Sequence, residues 1–536
     1  MQSTLDFQWD VPARFNFARD VVDRLATEDR TGLIFVDASG ARSTYSFREI
    51  AERSQRYAAA LAEAGISHGS RIIVSLPKIP QWLFVMLALD RLGAVAIPCA
   101  EQLRAKDLLF RANHAEAAGI IAGVDNYVEA EHMRAAGKTL RHFFIAGGNA
   151  PRWNDLDALA EHAAPFAGVD TAASDWSYIV YTSGTTKDPK GVVHDRGYAY
   201  AKRMPARFWL GCTPEDVVWC TAATGWAKSL WSVLLGPWSC GSTLVLHEGP
   251  FDPVERLNLI GELGVTILCQ APTEYRLEAK LDNLASWKFP SLRRCVSAGE
   301  PLNPEVIARW RDAFGMTILD GYGQTENSLL IANFDAHDVR EGSMGRPTPG
   351  HDVAIVNEDG EICAANETGD IALRGEPPTL FKGYLKSDEE TQASYRGEWY
   401  LTGDRAYADE DGYYWFVGRA DDVISSGAYR IGPFEVESAL LEHPSVAESA
   451  VVGTPDPDRG NIVKAFVVLR KGQTPSDELI KSLQDHCKRV TAPYKYPREI
   501  EFVDELPKTR SGKIRRVELR QRELEKKGAT PASGFV

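Results

Sequence analysis

Short apolar runs alternate with amphipathic stretches through the first part of the chain. RIIVSLP (71–77), AVAIP (94–98) and GIIAG (119–123) are predicted strands, because short continuous apolar runs are typical of strands buried on both faces. Stretches with apolar residues at helical spacing precede them at 46–65, 82–92 and 106–115. Ser46 and Glu49 form a predicted capping box at the start of the first stretch. Strands that alternate with helices indicate a mostly parallel sheet covered on both faces.

The pattern changes near residue 422. From there the apolar runs AESAVVG (447–453), VKAFVVL (463–469) and REIEFV (498–503) stand apart, with an amphipathic stretch after Ser476 between the second and the third. Short strands with few helices between them predict a separate α+β domain. A domain of about 110 residues lies within the usual size range.

The length of 536 residues also exceeds what one hydrophobic core usually serves. We therefore predict an α/β protein with a large N-terminal domain at 1–420, whose mostly parallel sheets are covered by helices, and a small α+β domain at 421–536.

The 60 Lys and Arg residues against 74 Asp and Glu residues give a net charge of −14. This charge argues against nucleic acid as a partner.

The sequence carries no pattern for secretion or for a membrane span. No apolar run approaches the ~20 residues that a membrane helix needs, and Asp6, Asp10 and Asp20 are unlike an organellar transit peptide. The eight cysteines form no CxxC pair, so we interpret them as reduced packing residues. We expect a cytoplasmic protein that is a monomer or a homodimer.

The strongest candidate for chemistry is the run YTSGTTKDPKGVVH at 181–194. It follows the apolar stretch SYIVY (177–181) and combines glycines with hydroxyl and lysine side chains, which suits a polyphosphate. A polar surface loop is the plainer interpretation, because Ser, Thr and Gly gather in loops. A P-loop is excluded, since Pro189 and the order Lys190 then Gly191 break its Gly-Lys-Ser/Thr ending.

Four further motifs follow in a fixed order. They are GYGQTEN (321–327), YLTGDRAYADEDGYYWFVGRADD (400–422), ISSGAYRIGPFEVE (424–437) and LPKTRSGKIRR (506–516). Together with the loop at 181–194 they resemble the motifs of the adenylate-forming enzymes, a superfamily of acyl-CoA synthetases, luciferases and peptide-synthetase adenylation domains. The motifs are most similar to those of the medium-chain acyl-CoA synthetases. The resemblance implies that the domain at 421–536 is a mobile lid.

The resemblance implies an ATP site built from several segments of the large domain. Hydroxyl, glycine and lysine groups of the first loop would hold the phosphates: Thr182, Ser183, Gly184, Thr185, Thr186 and Lys190. Two later segments would surround the adenine and the α-phosphate: Gly299, Glu300, Asp320, Gly321, Tyr322, Gly323, Gln324 and Thr325. Asp404 would accept the ribose hydroxyls, since an ionised acceptor makes strong charge-assisted bonds, and Arg419 would assist it.

The implied reaction joins a carboxylate to the α-phosphate of ATP and then passes the acyl group to CoA. Lys513 would bridge the two anions, with Thr325 and Glu326 as its catalytic partners. Glu326 would repel the phosphates unless a cation intervened, so Mg²⁺ is expected on Glu326 and Thr185. The lid would rotate about Asp421 between the two half-reactions.

The resemblance also assigns the acid and the thiol. Gly225, Trp226 and Gly323 would border the acyl pocket, although Trp is mostly a core residue. A set of basic and polar residues would bind CoA: Gln102, Gly427, Tyr429, Arg430, Arg459, Lys488, Tyr496 and Arg498. The expected partners are therefore ATP, CoA and a small carboxylic acid.

Three positions depart from the family pattern. Lys187 replaces the second glycine of the phosphate loop, and Gly427 stands one place early because Ala428 precedes Tyr429. The run TGWAKSLWS (224–232), the acyl segment, differs from that of the family around Ala227 and Lys228. Lys228 could face a polar or carboxylated substrate, or solvent. An aryl-acid (benzoate-type) ligase, a stand-alone adenylase that loads a carrier protein, a luciferase-like oxidase and a non-catalytic AMP-binding or acyl-AMP-binding protein remain alternatives.

Overall fold

The computed structural model describes residues 7–182, 189–335, 337–420, 422–426, 429–456, 459–508 and 514–527, with the backbone alone for Ser425, Tyr429 and Arg430. These residues form four β-sheets of seven, nine, five and five strands. We call them sheets A, B, C and D in that order, with sheet C at 352–419 and sheet D at 424–502. No helix in these ranges is long and apolar enough to cross a membrane.

Sheet A contains the strands predicted from the first apolar runs. Its strands lie side by side in the order Asn154–Asp155, His142–Ala146, Gly119–Gly123, Arg71–Ser75, Val95–Pro98, Trp176–Thr182 and Lys190–Asp195. All neighbours are parallel except the last pair. The helices of this region are Phe47–Glu63, Pro80–Arg91, Ala105–Ala115, Tyr127–His132 and Leu156–His162.

The first of these helices begins as its sequence predicts. Ser46 Oγ accepts a hydrogen bond from the Glu49 amide at 3.2 Å, and Glu49 Oε2 accepts one from the Ser46 amide at 2.7 Å. This reciprocal capping satisfies two amides that the helix itself leaves unpaired. The helix then buries Ile50, Tyr57 and Leu61 against the core.

Sheet B is the larger of the two mostly parallel sheets. Its strands lie in the order Arg346–Pro347, Ile331–Ala332, Ile318–Tyr322, Arg294–Ala298, Ile267–Gln270, Val217–Cys220, Thr243–His247, Thr31–Val36 and Arg42–Ser46. The six central strands from Ile318–Tyr322 to Thr31–Val36 are parallel. The longer helices of this region are Pro253–Glu262, Pro272–Ala279 and Pro304–Phe314.

Shorter helical segments complete the region around sheet B. They are Ala18–Val22, Asp23–Leu25, Arg196–Ala201, Arg203–Pro205, Ala206–Leu210, Ala227–Ser229, Leu230–Leu235, Gly236–Ser239 and Leu284–Ser286. Three of them, beginning at Ala18, Ala206 and Leu230, are π-helical turns.

Sheet C is an antiparallel sheet that the apolar pattern did not predict. Its strands are Asp352–Val356, Gly369–Arg374, Trp399–Ala408, Tyr395–Arg396 and Tyr414–Arg419, and the helix Asp388–Ala393 lies between two of them. The long strand Trp399–Ala408 pairs with Tyr414–Arg419, which places Asp404 opposite Arg419. Two residues predicted at the ribose therefore stand side by side.

Sheet D forms with its helices a separate unit. Its strands are Tyr429–Ile431, Ile424–Ser426, Gly460–Leu469, Val446–Asp456 and Glu499–Phe502, and its helical segments are Pro433–Leu441, Asp477–Val490, Pro493–Lys495 and Arg516–Lys527. Val436, Leu440, Val463 and Leu483 belong to a buried cluster confined to this unit. The predicted fold class, mixed α/β with a smaller C-terminal sheet domain, is confirmed. The exact boundary at 420/421 stays a prediction.

Candidate active site

A cavity of about 1010 Å³ lies where the carboxyl ends of sheet B strands meet sheet C and the C-terminal unit. In parallel sheets the loops at this edge are where ligands usually bind. Many residues predicted for the nucleotide, and two predicted for the acid, line this single cavity: Thr182, Lys190, Trp226, Gly299, Glu300, Asp320, Gly321, Tyr322, Gly323, Gln324, Thr325, Glu326, Asp404 and Arg419. Segments far apart in the sequence are thus brought together.

The GYGQTEN turn depends on glycines that approach neighbouring atoms closely. A Cβ on Gly323 would stand 1.4 Å from the Ser328 carbonyl oxygen, and one on Gly321 would stand 2.8 Å from the Trp209 ring. Ser328 itself has a φ of +70°, which is uncommon for a residue with a side chain. Only glycine fits at Gly323, so the turn can fold back and leave its side chains at the cavity.

Tyr322, Gln324 and Asp404 form a hydrogen-bonded group on the cavity wall. The Tyr322 hydroxyl donates to Asp404 Oδ2 at 2.6 Å, and Gln324 Nε2 donates to the same oxygen at 2.8 Å. Gln324 Nε2 also donates to the Thr402 carbonyl at 2.8 Å. Burial raises the pKa of Tyr322 well above its usual range, so the phenol stays a donor. The carboxylate is held in one orientation before any ligand binds.

Glu326 is a buried carboxyl at the cavity wall. Its Oε1 accepts a hydrogen bond from the Tyr384 hydroxyl at 3.0 Å, and its own carbonyl accepts one from the Phe381 amide at 2.7 Å. Burial raises the pKa of the Glu326 carboxyl, because removal from water penalises the charged form. The sequence did not reveal Tyr384, which lies 58 residues away.

The buried position of Glu326 is more consistent with a carboxylate that binds a hard cation than with an ordinary surface carboxylate. Among the described residues no group of three His, Cys, Asp or Glu side chains could hold a metal by itself. Mg²⁺ usually takes only one or two carboxylates and completes its shell with water and substrate phosphates. One desolvated carboxylate at the wall of a cavity is compatible with that mode.

Three more predicted residues complete this wall. Gly299 has a φ of +112°, with open space where a side chain would stand. Glu300 accepts hydrogen bonds from Thr273 Oγ1 at 2.8 Å and Arg276 Nη2 at 3.2 Å. Burial raises the pKa of Asp320 to about 7, so this cavity residue changes charge near neutral pH.

Lys190, predicted at the phosphates, lies at the cavity edge. Its Nζ is 3.5 Å from Glu390 Oε2 and 4.6 Å from the centre of the Tyr384 ring. The side chain is about one-third exposed. The ammonium can therefore exchange this partner for an incoming anion at small cost.

The two neighbouring residues predicted at the acyl pocket, Gly225 and Trp226, differ in their position relative to the cavity. Trp226 lines the cavity, whereas Gly225 is not among the lining residues. A Cβ on Gly225 would stand 2.0 Å from the Ala100 amide nitrogen, so this glycine lets two chain segments cross. Its role at an acyl pocket stays a prediction.

Lys228 is half-buried and is not one of the residues that line the cavity. Its Nζ donates to the Ala298 carbonyl at 2.9 Å and lies 3.3 Å from the Gln270 carbonyl. These carbonyls end two neighbouring parallel strands of sheet B. The lysine therefore joins the strand ends that lead into the segment with Gly299.

The C-terminal unit supplies one side of the cavity with residues that the sequence reasoning missed. Glu437 accepts hydrogen bonds from Arg516 through both oxygens, at 2.9 and 2.6 Å, and from the Val451 amide at 2.8 Å. Arg520 forms an ion pair with Asp422. The bidentate Arg516–Glu437 pair fixes orientation as well as charge, and the Arg520–Asp422 pair holds the linker next to position 421 against the last helix.

None of the described side chains predicted for CoA lines this cavity. Two cations lie near the Tyr496 ring, with Lys488 Nζ 4.4 Å and Arg498 Cζ 5.1 Å from the ring centre. Arg498 Nη1 also donates to the Tyr496 hydroxyl at 3.1 Å. Gln102 is exposed and donates to Glu101, and Arg459 is exposed as well. Lys488, Tyr496 and Arg498 do meet, as one basic cluster on the C-terminal unit.

Several predicted residues lie outside the described ranges. These are Ser183, Gly184, Thr185, Thr186, Asp421, Gly427 and Lys513, and the side chains of Tyr429 and Arg430 are likewise not described. The departures Lys187 and Ala428 also lie outside them. Their roles stay predictions.

The fold and the cavity together define an adenylate-forming enzyme. The family model described as AMP-binding enzyme matches residues 22–385, and the model described as AMP-binding enzyme C-terminal domain matches residues 435–513. The chain belongs to the AMP-binding enzyme family.

Relatives of known sequence match nearly the whole chain. An acyl-CoA ligase of Bacillus subtilis (strain 168), described as uncharacterized, is 45% identical over 96% of this chain and 97% of its own. The mitochondrial acyl-coenzyme A synthetase ACSM3 of Rattus norvegicus is 43% identical over 97% of this chain and 92% of its own. The predicted class, an AMP-forming acid:CoA ligase, is confirmed.

Solved structures agree with that class. The anthranilate CoA ligase AuaEII in complex with anthranoyl-AMP matches with a TM-score of 0.90 and 31% identity, covering 98% of this chain and 100% of the other. An acyl-CoA synthetase of Brucella canis matches with a TM-score of 0.75 and 36% identity, covering 96% of each chain.

Proposed function

We propose that this ligase activates a medium-chain fatty acid or a related carboxylic acid. The acid is converted to an acyl adenylate with release of pyrophosphate, and the acyl group then passes to CoA with release of AMP. One observation carries the proposal, namely that residues from all five motif segments line one cavity. The motif resemblance to medium-chain acyl-CoA synthetases supports the choice of acid.

An aryl acid is the second candidate substrate. The match to an anthranilate CoA ligase has a TM-score of 0.90, and the aromatic ring of Trp226 stands at the cavity. Aromatic rings pack well against one another in offset or edge-on arrangements. An aryl carboxylate beside Trp226 would use that surface.

The nucleotide is proposed to bind along the GYGQTEN turn. Asp404, held by Tyr322 and Gln324, would accept the two ribose hydroxyls, with Arg419 opposite it in the neighbouring strand. The Tyr322 ring would form one wall for the adenine, since its hydroxyl is already tied to Asp404. Gly299, with open space where a side chain would stand, would leave room for a flat base.

Charge stabilisation in the first half-reaction is assigned to Glu326, Thr325 and Lys513. The carboxylic acid is ionised near neutral pH, so no general base is needed. Mg²⁺ bound at Glu326 and Thr185 would neutralise phosphate charge. Thr325 would donate to the α-phosphate or the acid, and Lys513 would bridge these two anions as charge builds in the transition state.

The position of the C-terminal unit supports this role for Lys513. Ile514, Arg515 and Arg516, which follow it directly, all line the cavity. Asn303 Nδ2 of the large domain lies 3.1 Å from Ser438 Oγ of the C-terminal unit. We infer that this orientation serves adenylation.

The second half-reaction then needs a different orientation. The cluster of Lys488, Tyr496 and Arg498 is proposed to bind the phosphates of CoA, yet none of the three lines the cavity. A rotation of the lid, residues 421–536, about Asp421 would bring another face to the acyl adenylate, as hinge motions do in other enzymes. Gln102 and Arg459 would contact CoA in that state.

We also propose a cytoplasmic location. All eight cysteines are free, which fits a reducing compartment. A monomer or a homodimer is proposed, and size-exclusion chromatography with light scattering tests it.

The substrate is tested with a panel of acids from acetate through octanoate to benzoate and anthranilate. Release of AMP and of pyrophosphate from ATP is measured for each acid, with and without CoA. We expect AMP release that requires both CoA and a medium-chain acid. Turnover with aryl acids alone would establish the second candidate. Pyrophosphate release that stops at an amount equal to the enzyme, whether or not CoA is present, would contradict a CoA ligase.

A further inference from the structure

His194 is a fully buried residue next to the end of the sheet A strand Lys190–Asp195. Its Nε2 lies 2.8 Å from the carbonyl oxygen of Thr325, 131 residues further along the chain. A carbonyl oxygen can only accept, so Nε2 carries the proton and donates. The strand after the phosphate loop is thereby joined to the GYGQTEN turn through one imidazole.

The His194 ring is held in place by an unusual buried stack. It lies on the Tyr198 ring with the ring centres 3.9 Å apart, and Lys202 Nζ lies 3.2 Å from the centre of the Tyr198 ring. Among the described residues, His194 Nδ1 and Lys202 Nζ have no hydrogen-bond partner. Burial, together with the nearby Lys202, lowers the pKa of His194 to about 3, so the imidazole is neutral with its proton on Nε2.

The same turn is held at its next residue as well. The carbonyl of Glu326 accepts from the Phe381 amide at 2.7 Å, so two consecutive carbonyls are fixed from outside the turn. His194 and the Phe381 amide both bind backbone carbonyls of the turn. The side chains of Thr325 and Glu326 therefore remain at the cavity. Packing alone would not require a donor at His194, because an apolar ring could fill the same volume.

We propose that His194 is a positioning residue for adenylation, whose Nε2–H fixes the Thr325 carbonyl and so aims the Thr325 and Glu326 side chains at the nucleotide. The inference rests on the roles proposed above for those two residues. His194 touches no substrate; it acts through the backbone of the turn. A shift of about 1 Å in such a turn can cost on the order of 100-fold in rate.

The test compares three substitutions at one site. His194→Gln keeps an N–H donor at nearly the same distance from the main chain of residue 194 as Nε2. In His194→Asn the amide nitrogen lies too close to that main chain to replace Nε2. His194→Leu removes the donor. Adenylation is followed as acid-dependent exchange of labelled pyrophosphate into ATP, with kcat and the KM for ATP determined separately. We expect His194→Leu and His194→Asn to lower kcat at least about tenfold with the KM for ATP within about threefold, and His194→Gln to recover most of kcat.

Val193→Ala is the matched control for packing. Val193 is buried on the opposite face of the same strand, so this variant should lower the Tm but leave kcat within about twofold. An unchanged kcat in His194→Leu would overturn the proposal. If His194→Leu does not fold, equal rates in His194→Gln and His194→Asn would overturn it.

Thr325→Val separates this inference from the proposed function. A loss of adenylation in Thr325→Val without a loss in His194→Leu would refute the role of His194 alone. Full adenylation in both variants would refute the role of Thr325 as well. Losses in both, with recovery in His194→Gln, would support the proposal.

Discussion

The hydroxyl of Tyr322 donates a 2.6 Å hydrogen bond to Oδ2 of Asp404, 82 residues further along the chain. Tyr322 ends a strand of sheet B, and Asp404 lies within a strand of sheet C. The bond therefore joins two sheets at the wall of the cavity. It also orients the carboxylate that we assign to the ribose, which makes the nucleotide site dependent on this junction.

Asp404→Asn should weaken ATP binding selectively. Hydrogen bonds to a charged acceptor contribute about 1.5–3 kcal/mol, so loss of the charge should raise the KM for ATP by about 10- to 100-fold in pyrophosphate exchange. Tyr322→Phe should have a smaller effect, because it removes only one bond that orients the carboxylate. A normal KM for ATP in Asp404→Asn would contradict the ribose assignment.

Glu326→Gln should change the requirement for Mg²⁺. The amide keeps an oxygen for the Tyr384 hydroxyl but has no charge for a cation, so we expect the Mg²⁺ concentration for half-maximal adenylation to rise at least about tenfold. The measurement is pyrophosphate exchange against free Mg²⁺. Glu390→Gln, at an exposed carboxylate beside Lys190, is the control; equal Mg²⁺ curves for the wild type and Glu326→Gln would refute the metal role.

Asp320→Asn should change how stability depends on pH. The folded-state pKa of Asp320 is raised to about 7, above the unfolded value, so the folded protein binds the extra proton. The protonated carboxyl contributes its full stabilisation of the folded state below pH ~4. As the pH then rises through about 7, the free energy of unfolding falls by about 1.4 kcal/mol per pH unit and this contribution is lost. The neutral amide lacks this loss, so the Tm of the ligand-free variant relative to wild type should increase between pH ~5 and pH ~8. A constant difference would contradict the shifted pKa.

Lys228→Met should destabilise the large domain. It leaves the Ala298 carbonyl, and the nearby Gln270 carbonyl, without the ammonium donor, which costs about 1–3 kcal/mol. Thermal unfolding measures the loss. Lys288→Met, at an exposed lysine that reaches the Ala285 carbonyl, is the matched control and should change stability by less than about 0.5 kcal/mol. Equal Tm values for the two variants would refute the structural role of Lys228.

The sequence predicted those elements whose signals are local. The apolar runs at 71–77 and 119–123 became strands of sheet A, and Ser46 caps its helix as expected. The motif at 321–327 predicted cavity residues through its resemblance to the adenylate-forming enzymes, which a short run of residues is enough to show. Such signals do not depend on distant parts of the chain.

The remaining features depend on contacts between distant residues. Tyr384 reaches Glu326 across 58 residues, and Lys228 reaches Ala298 across 70, so no local pattern reveals either pairing. Sheet C was missed because its antiparallel strands give no regular alternation with helices. The pairing of Arg516 with Glu437 likewise needed the fold.

The central claim is that Lys513 of the lid serves adenylation at the cavity of the large domain, and Lys513→Ala tests it most directly. Two rates are measured on the same preparation, namely formation of acyl adenylate from acid and ATP, and formation of acyl-CoA from supplied acyl adenylate and CoA. Removal of the bridging charge should lower the first rate at least about 100-fold and leave the second within about threefold. An equal loss in both rates, or none in the first, would contradict the account.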